Sequence, residues 1–107
     1  MTEQLAHSVV GRWRIVEADI WDREYLDLVE PAHIIFTPTG GEFAFGAVTG
    51  TMDGGHGKRT TFFTWEGSDE MDPVSGAGEA QLEKDGTLTI DLRFHYGDEA
   101  QLKAVKT

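Results

Sequence analysis

Residues 87–96, T-L-T-I-D-L-R-F-H-Y, alternate between polar and apolar side chains with a period of two. Large apolar side chains occupy every second position from Leu88 to Tyr96, and polar side chains lie between them. This pattern is typical of a β-strand that buries one face and exposes the other to water. Because the same period recurs along the chain, the sequence predicts an all-β protein.

Turn residues divide the alternating segments into separate strands. Asp85-Gly86 is the strongest hairpin signal, because both central positions of such a turn favour residues that tolerate positive φ. Further turn residues lie at 39–41, 53–57, 67–76 and 97–98. The strands are therefore predicted at 11–20, 32–37, 42–52, 58–66, 77–84, 87–96 and 100–106.

Two short helical segments are predicted, near residues 3–10 and 22–29. The second begins at Asp22, which is a good capping residue, and stops before Pro31. In the first strand the apolar residues change face near Ile15, and this predicts a bulge or bend there.

The connections between most consecutive strands are short, which predicts an antiparallel up-and-down meander. An open meander leaves sheet edges exposed, and closure into a barrel removes them. We therefore expect one domain, residues 1–107, that closes into a small barrel of about seven or eight strands. The alternative is a twisted open sheet covered by the 22–29 segment.

The composition limits the chemistry and the location of the protein. The chain contains no cysteine, which excludes disulfides and thiolate catalysis. The N-terminal residues are too polar for a signal peptide, and no apolar run has the length of a membrane span. A cytoplasmic location is therefore predicted.

Two segments carry the whole net charge of −10. Residues 17–30 contain six acidic residues and one arginine, and residues 66–79 contain five acidic residues and no basic one. Such a field repels nucleic acid and anionic membranes and attracts cations or basic proteins. The alternative is that the acidic loops only keep a small β-protein in solution.

The stretch S-V-V-G-R-W-R-I at 8–15 resembles the first strand of the calycins, the lipocalin and intracellular lipid-binding barrels. In those barrels a short helical segment leads into Gly-x-Trp, and the tryptophan closes one end beneath a basic residue of the last strand. Gly11 and Trp13 match this pattern, and the resemblance implies Lys103 as the basic partner. It also implies a smaller interior, because this chain is shorter than a typical calycin.

A second resemblance spans most of the chain. The combination of W-D at 21–22, W-E-G-S-D-E-M-D at 65–72 and F-H-Y-G-D-E at 94–99 is similar to a group of small, uncharacterised bacterial proteins. This resemblance implies no activity.

The stretch at 67–76 and the turn at 97–99 are expected at the same end of the barrel, because consecutive hairpins alternate ends. Tryptophan beside charged residues is typical of protein interfaces. We therefore predict a non-catalytic interaction module that binds a basic protein surface through an acidic rim. The predicted rim residues are Trp65, Asp69, Glu70, Asp72, Asp98 and Glu99.

The main alternative is a carrier that holds a small apolar ligand inside the barrel. The residues that would line such a cavity are Trp13, Phe43, Phe45 and Phe94.

Metal binding is a weaker hypothesis. Asp69, Glu70 and Asp72 are candidate calcium ligands, but they lack the spacing of an EF-hand. His33, His56 and His95 would form a metal site only if the fold brought them together.

No catalytic motif is present, although Asp91 and His95 with a serine or threonine resemble the members of a triad. The sequence therefore predicts no enzyme activity, no cofactor, and neither a nucleic-acid nor a membrane partner.

Overall fold

The computed structural model describes residues 9–56, 60–95 and 97–107. In this part of the chain, eight antiparallel strands each pair with the next, and β1 also pairs with β8, so the sheet closes into a barrel. The predicted all-β barrel is confirmed, and the open sheet is excluded. The elements are β1 (Gly11–Ala18), α1 (Arg23–Leu26), β2 (His33–Thr37), β3 (Gly40–Phe45), β4 (Val48–His56), β5 (Thr60–Asp69), β6 (Asp72–Leu82), β7 (Leu88–Phe94) and β8 (Glu99–Lys106).

The helix α1 is a single turn within the segment predicted near 22–29. Asp22 caps it, since its carboxylate accepts a hydrogen bond of 2.9 Å from the Tyr25 N–H. Leu26 is buried, and its carbonyl accepts a hydrogen bond from the Gly46 N–H. A helix this short depends on such tertiary contacts. Most of the segment predicted near 3–10 lies outside the described residues.

The predicted single strand at 42–52 is wrong, because the chain reverses in its middle. β3 and β4 are joined by Gly46 and Ala47, and Gly46 has a φ of +57°. A β-carbon at this position would also overlap the Tyr25 ring. Gly46 therefore forms the turn between β3 and β4, where glycine tolerates positive φ.

Two predicted loops are largely strand. β4 continues through the glycine-rich 53–56, and β5 and β6 extend through most of 67–76. Only Glu70 and Met71 form the β5–β6 turn, with φ values of +51° and +76°. Asparagine and glycine usually occupy such positions, so the residue types did not indicate that the predicted loop is a two-residue turn. The bulge predicted near Ile15 is confirmed by a register shift between Ile15 and Glu17.

The barrel interior is filled by pairing large side chains with small ones. Phe43 lies opposite Gly50 in the sheet register, and Phe63 lies opposite Gly78. A β-carbon built on Gly50 would lie 2.5 Å from Phe43 Cζ, and one on Gly78 would lie 2.6 Å from Phe63 Cζ. The rings therefore occupy the space above the glycines. The same pairing continues at Trp65–Gly76, Ala80–Ile90, Leu92–Ala100 and Leu88–Ala104.

Trp13 and the last strand close one end of the barrel. The Trp13 indole is buried and donates a hydrogen bond to the Val9 carbonyl. Lys106 Nζ lies 4.8 Å from the centroid of the Trp13 ring and donates to the Val10 carbonyl. The expectation that Lys103 would be this basic residue is wrong. Lys103 pairs with Glu17 beyond the β1 bulge and lies exposed on the outer wall.

Replacement of Gly50 by alanine tests the packing of large against small residues. We expect Gly50→Ala to destabilise the protein by about 1–3 kcal/mol, since the new methyl group collides with the buried Phe43 ring. Urea unfolding measures the change. The control is Gly55→Ala in the same strand, where an added β-carbon meets no atom within 4 Å. Equal losses of unfolding free energy in the two glycine variants would contradict this packing. So would a Phe43→Leu change that restores no stability to Gly50→Ala.

Candidate functional site

The barrel end opposite Trp13 gathers the acidic segments, and we call it the acidic end. It is formed by the β1–β2 connection and by the β3–β4, β5–β6 and β7–β8 turns, because consecutive turns alternate between the two ends. The prediction that the 67–76 and 97–99 segments share one end follows from this topology. Residues 19–30, which carry much of the remaining negative charge, connect β1 to β2 at this same end.

The β5–β6 hairpin extends past its neighbour β7. The pairing of β6 with β7 ends at Gly76, whereas its pairing with β5 continues to Asp72. The four steps from Gly76 to Asp72 correspond to about 13 Å of strand. Met71, at the tip, exposes 93% of its surface. The hairpin therefore presents an apolar side chain next to Asp69, Glu70 and Asp72.

Strand alternation divides the acidic residues of the hairpin between two faces. Asp69 and Asp72 lie directly opposite each other and share the face of the buried Trp65. Glu66 pairs with Ser75 on the other face, which is the outer wall. Two carboxylates opposite each other repel, so the Asp69–Asp72 pair does not stabilise the hairpin.

Trp65 lies inside the barrel and is not exposed on the rim. Only 3% of its surface is accessible, and its ring packs edge-on against Phe43 and Phe94, with centroids 5.2 and 5.0 Å away. Trp65 Nε1 has no hydrogen-bond partner among the described residues. In the sequence T-F-F-T-W both faces are bulky, and only the closed sheet shows that Phe63 and Trp65 point inward while Phe62 points outward.

Trp21 is the aromatic residue that covers the acidic end. Its ring lies 5.2 Å from Phe45, 5.6 Å from Tyr25 and 6.3 Å from Phe94. Three of the four predicted cavity-lining residues, Phe43, Phe45 and Phe94, belong to this aromatic cluster, in which Phe43 stacks on Phe45 at 5.7 Å. The fourth residue, Trp13, closes the other end of the barrel.

Asp98 and Glu99 follow β7 at the acidic end, and both are exposed. Glu99 lies opposite Arg93 in the β7–β8 pairing, on the outer wall. Asp98 accepts a backbone hydrogen bond from the Phe94 N–H and so closes the turn. The two residues share the end of the barrel with Asp69, Glu70 and Asp72 but belong to a separate hairpin.

The candidate metal ligands and the triad do not assemble in the described part of the chain. No group of three histidine, aspartate or glutamate side chains there could hold a metal ion. His33 Nδ1 lies at hydrogen-bond distance, 3.0 Å, from the Pro31 carbonyl oxygen near the acidic end. His56 is the last residue of β4, at the opposite end of the barrel. Asp91 accepts a hydrogen bond from Gln101, while His95 pairs with Ser75, so Asp91 and His95 have different partners.

Asp27 fixes the β1–β2 connection that carries Trp21. Its carboxylate accepts two hydrogen bonds from Arg14, at 2.8 and 3.0 Å, and one from the Ala32 N–H. The Arg14 guanidinium, and then the Ala32 amide, hold the pKa of Asp27 below its ordinary value of 3.8. This bidentate ion pair joins the connection to β1.

Comparison of the sequence with family models and curated proteins, and of the structure with solved structures, finds no match. Among the described residues, no helix is both long enough and apolar enough to cross a membrane.

The ion pair predicts how the stability of the protein depends on pH. Because the pKa of Asp27 is lower in the folded than in the unfolded chain, the carboxylate stabilises the fold above about pH 3.8, and this contribution is lost as the pH falls through the folded value. Asp27→Asn should therefore lower the Tm at neutral pH and change it much less in strongly acidic buffer. Thermal unfolding at both pH values measures this difference. Glu30→Gln, an exposed change in the same connection, is the control. If Asp27→Asn lowered the Tm equally at both pH values, the stabilising role of the charged Asp27 carboxylate would be contradicted.

Proposed function

We propose that this protein is a non-catalytic interaction module that binds a basic protein surface through its acidic end. The observation that carries the proposal is the β5–β6 hairpin, which presents an exposed methionine next to three carboxylates. Unbranched and polarisable, methionine adapts to irregular apolar surfaces, while the acidic residues favour a positively charged one. A cytoplasmic location, as the sequence predicts, is part of this proposal.

The conformation of the turn supports a role in recognition. Glu70 and Met71 both adopt positive φ, which is unfavourable for residues with a side chain. An Asn-Gly pair would form the same turn with less strain, and it would not expose an apolar side chain. Folding alone therefore does not account for these two residues. Strained residues at exposed tips are common where proteins bind partners.

The filled interior is the reason to prefer a surface site over the carrier hypothesis. The large aromatic residues that could line a cavity pack against one another or occupy the space above facing glycines. One observation favours the carrier: the buried Trp65 Nε1 could donate a hydrogen bond to a ligand. A ligand there would have to displace Trp21 and separate Trp65 from Phe43 and Phe94. We therefore keep the carrier as the second candidate.

A cationic peptide tests the proposal without knowledge of the natural partner. A short, fluorescently labelled peptide rich in lysine and arginine should bind the protein, and its affinity should fall steeply with salt. Asp69→Asn/Glu70→Gln should weaken binding about tenfold at low salt, since two attractive charges are lost. Fluorescence anisotropy measures the Kd.

A matched double variant separates local recognition from net charge. Glu42→Gln/Asp53→Asn removes the same charge from exposed positions toward the opposite end, and it should weaken binding less than about threefold. An affinity for the peptide that does not change with salt concentration would contradict the proposal. Equal losses of affinity in the two double variants would contradict it as well.

A further inference from the structure

Three polar side chains form a row on the outer face of the β5–β6 hairpin. Glu66 lies directly across from Ser75 in the strand pairing. The Ser75 carbonyl accepts a backbone hydrogen bond of 2.8 Å from His95, and the Ser75 hydroxyl lies 3.2 Å from His95 Nδ1. Glu66, Ser75 and His95 therefore come from three successive segments of the barrel wall and lie side by side.

The row lies in a cleft with an apolar wall. The cleft has a volume of about 470 Å³, and Gly67, Pro73 and Val74 complete its lining. Pro73 is exposed on the same outer face as Ser75, whereas the Val74 side chain alternates to the inner face and packs against the barrel core. The cleft therefore offers polar groups on one side and aliphatic surface on the other. This combination suits a ligand with a polar head on an apolar stem.

The cleft carries negative charge and hydrogen-bond acceptors. Within the described residues Glu66 forms no ion pair, and no lysine or arginine lines the cleft. When His95 carries its proton on Nδ1 it donates to Ser75, and Nε2 is then an acceptor. The row accordingly presents a carboxylate, a hydroxyl and an imidazole nitrogen as acceptors. The complementary ligand is a cation with several N–H donors.

We propose that this cleft binds the guanidinium group of an arginine side chain on the basic partner, an inference that rests on the proposed function. Cross-strand neighbours have β-carbons about 4.5–5.5 Å apart, so the row is wider than one ammonium group. The planar guanidinium has five N–H donors, enough to bind the Glu66 carboxylate and the Ser75–His95 pair together. The methylene groups of the arginine pack on Pro73, which lies on the same outer face as Ser75.

The order of the residues in the row argues against nucleophilic catalysis. A serine triad places the histidine between the serine and the acid, so that the carboxylate orients the imidazole. Here Ser75 lies between Glu66 and His95, and Glu66 cannot support the imidazole. The arrangement suits binding. It does not supply the carboxylate that would stabilise His95 if it took the proton of an attacking Ser75 hydroxyl.

The test uses single amino-acid derivatives as probes. N-acetyl-arginine methylamide is titrated into the ¹⁵N-labelled protein, and backbone amide shifts are followed by NMR. Saturable shifts are expected at Glu66, Ser75 and His95, with weaker binding of the lysine analogue and none of the neutral citrulline analogue. Glu66→Gln should weaken arginine binding about tenfold. Glu42→Gln, an exposed change on β3 outside the cleft, should change it less than twofold.

The outcomes separate this inference from the proposed function. Equal affinities for the arginine and lysine derivatives, or equal losses of affinity in Glu66→Gln and Glu42→Gln, would overturn the guanidinium site. If the cationic peptide loses affinity with Asp69→Asn/Glu70→Gln but not with Glu66→Gln, the cleft is not used and the acidic end still binds. If neither Asp69→Asn/Glu70→Gln nor Glu66→Gln weakens binding of the peptide, both proposals are wrong. Each variant changes an exposed or partly exposed side chain, and a dispersed amide spectrum confirms that it is folded.

Discussion

The structure depends on the limited width of a closed eight-stranded barrel. Such a barrel has an interior just wide enough to be filled by side chains, so two large side chains cannot face each other across every strand pair. This chain meets the constraint by placing glycine or alanine opposite several of its large inward residues, as in Phe43–Gly50 and Phe63–Gly78. Gly50 and Gly78 are therefore core positions.

Because side chains fill the interior, the candidate binding sites of this protein lie on the outside of the barrel. Trp13 and Lys106 close one end, and Trp21 covers the aromatic cluster at the other. The β5–β6 hairpin extends past its neighbour β7 and carries Met71, with acidic residues on either side. The inner face of the hairpin and its tip provide a charged surface, and its outer face provides the cleft at Glu66. Both features belong to one structural element.

The period-two pattern predicted the fold class, most strands and the β1 bulge, because local alternation reports which face of a strand is buried. Turns without asparagine or glycine at their centre were not predictable in this way, and Glu70-Met71 is the clearest example. The position of Trp65 depends on sheet closure, and the choice of Lys106 over Lys103 depends on the register after the β1 bulge. The pairing of Ser75 with His95 joins residues 20 positions apart, so no local signal could reveal it.

The central claim is that the barrel has no internal space for a ligand, and xenon tests it most directly. Xenon enters apolar cavities of proteins and scatters X-rays strongly, so a crystal under xenon pressure reports any void of sufficient size. We expect no xenon site among Phe43, Phe45, Phe63 and Trp65, because these side chains fill the interior. An occupied xenon site among these residues would contradict the filled barrel and would favour the carrier over the interaction module.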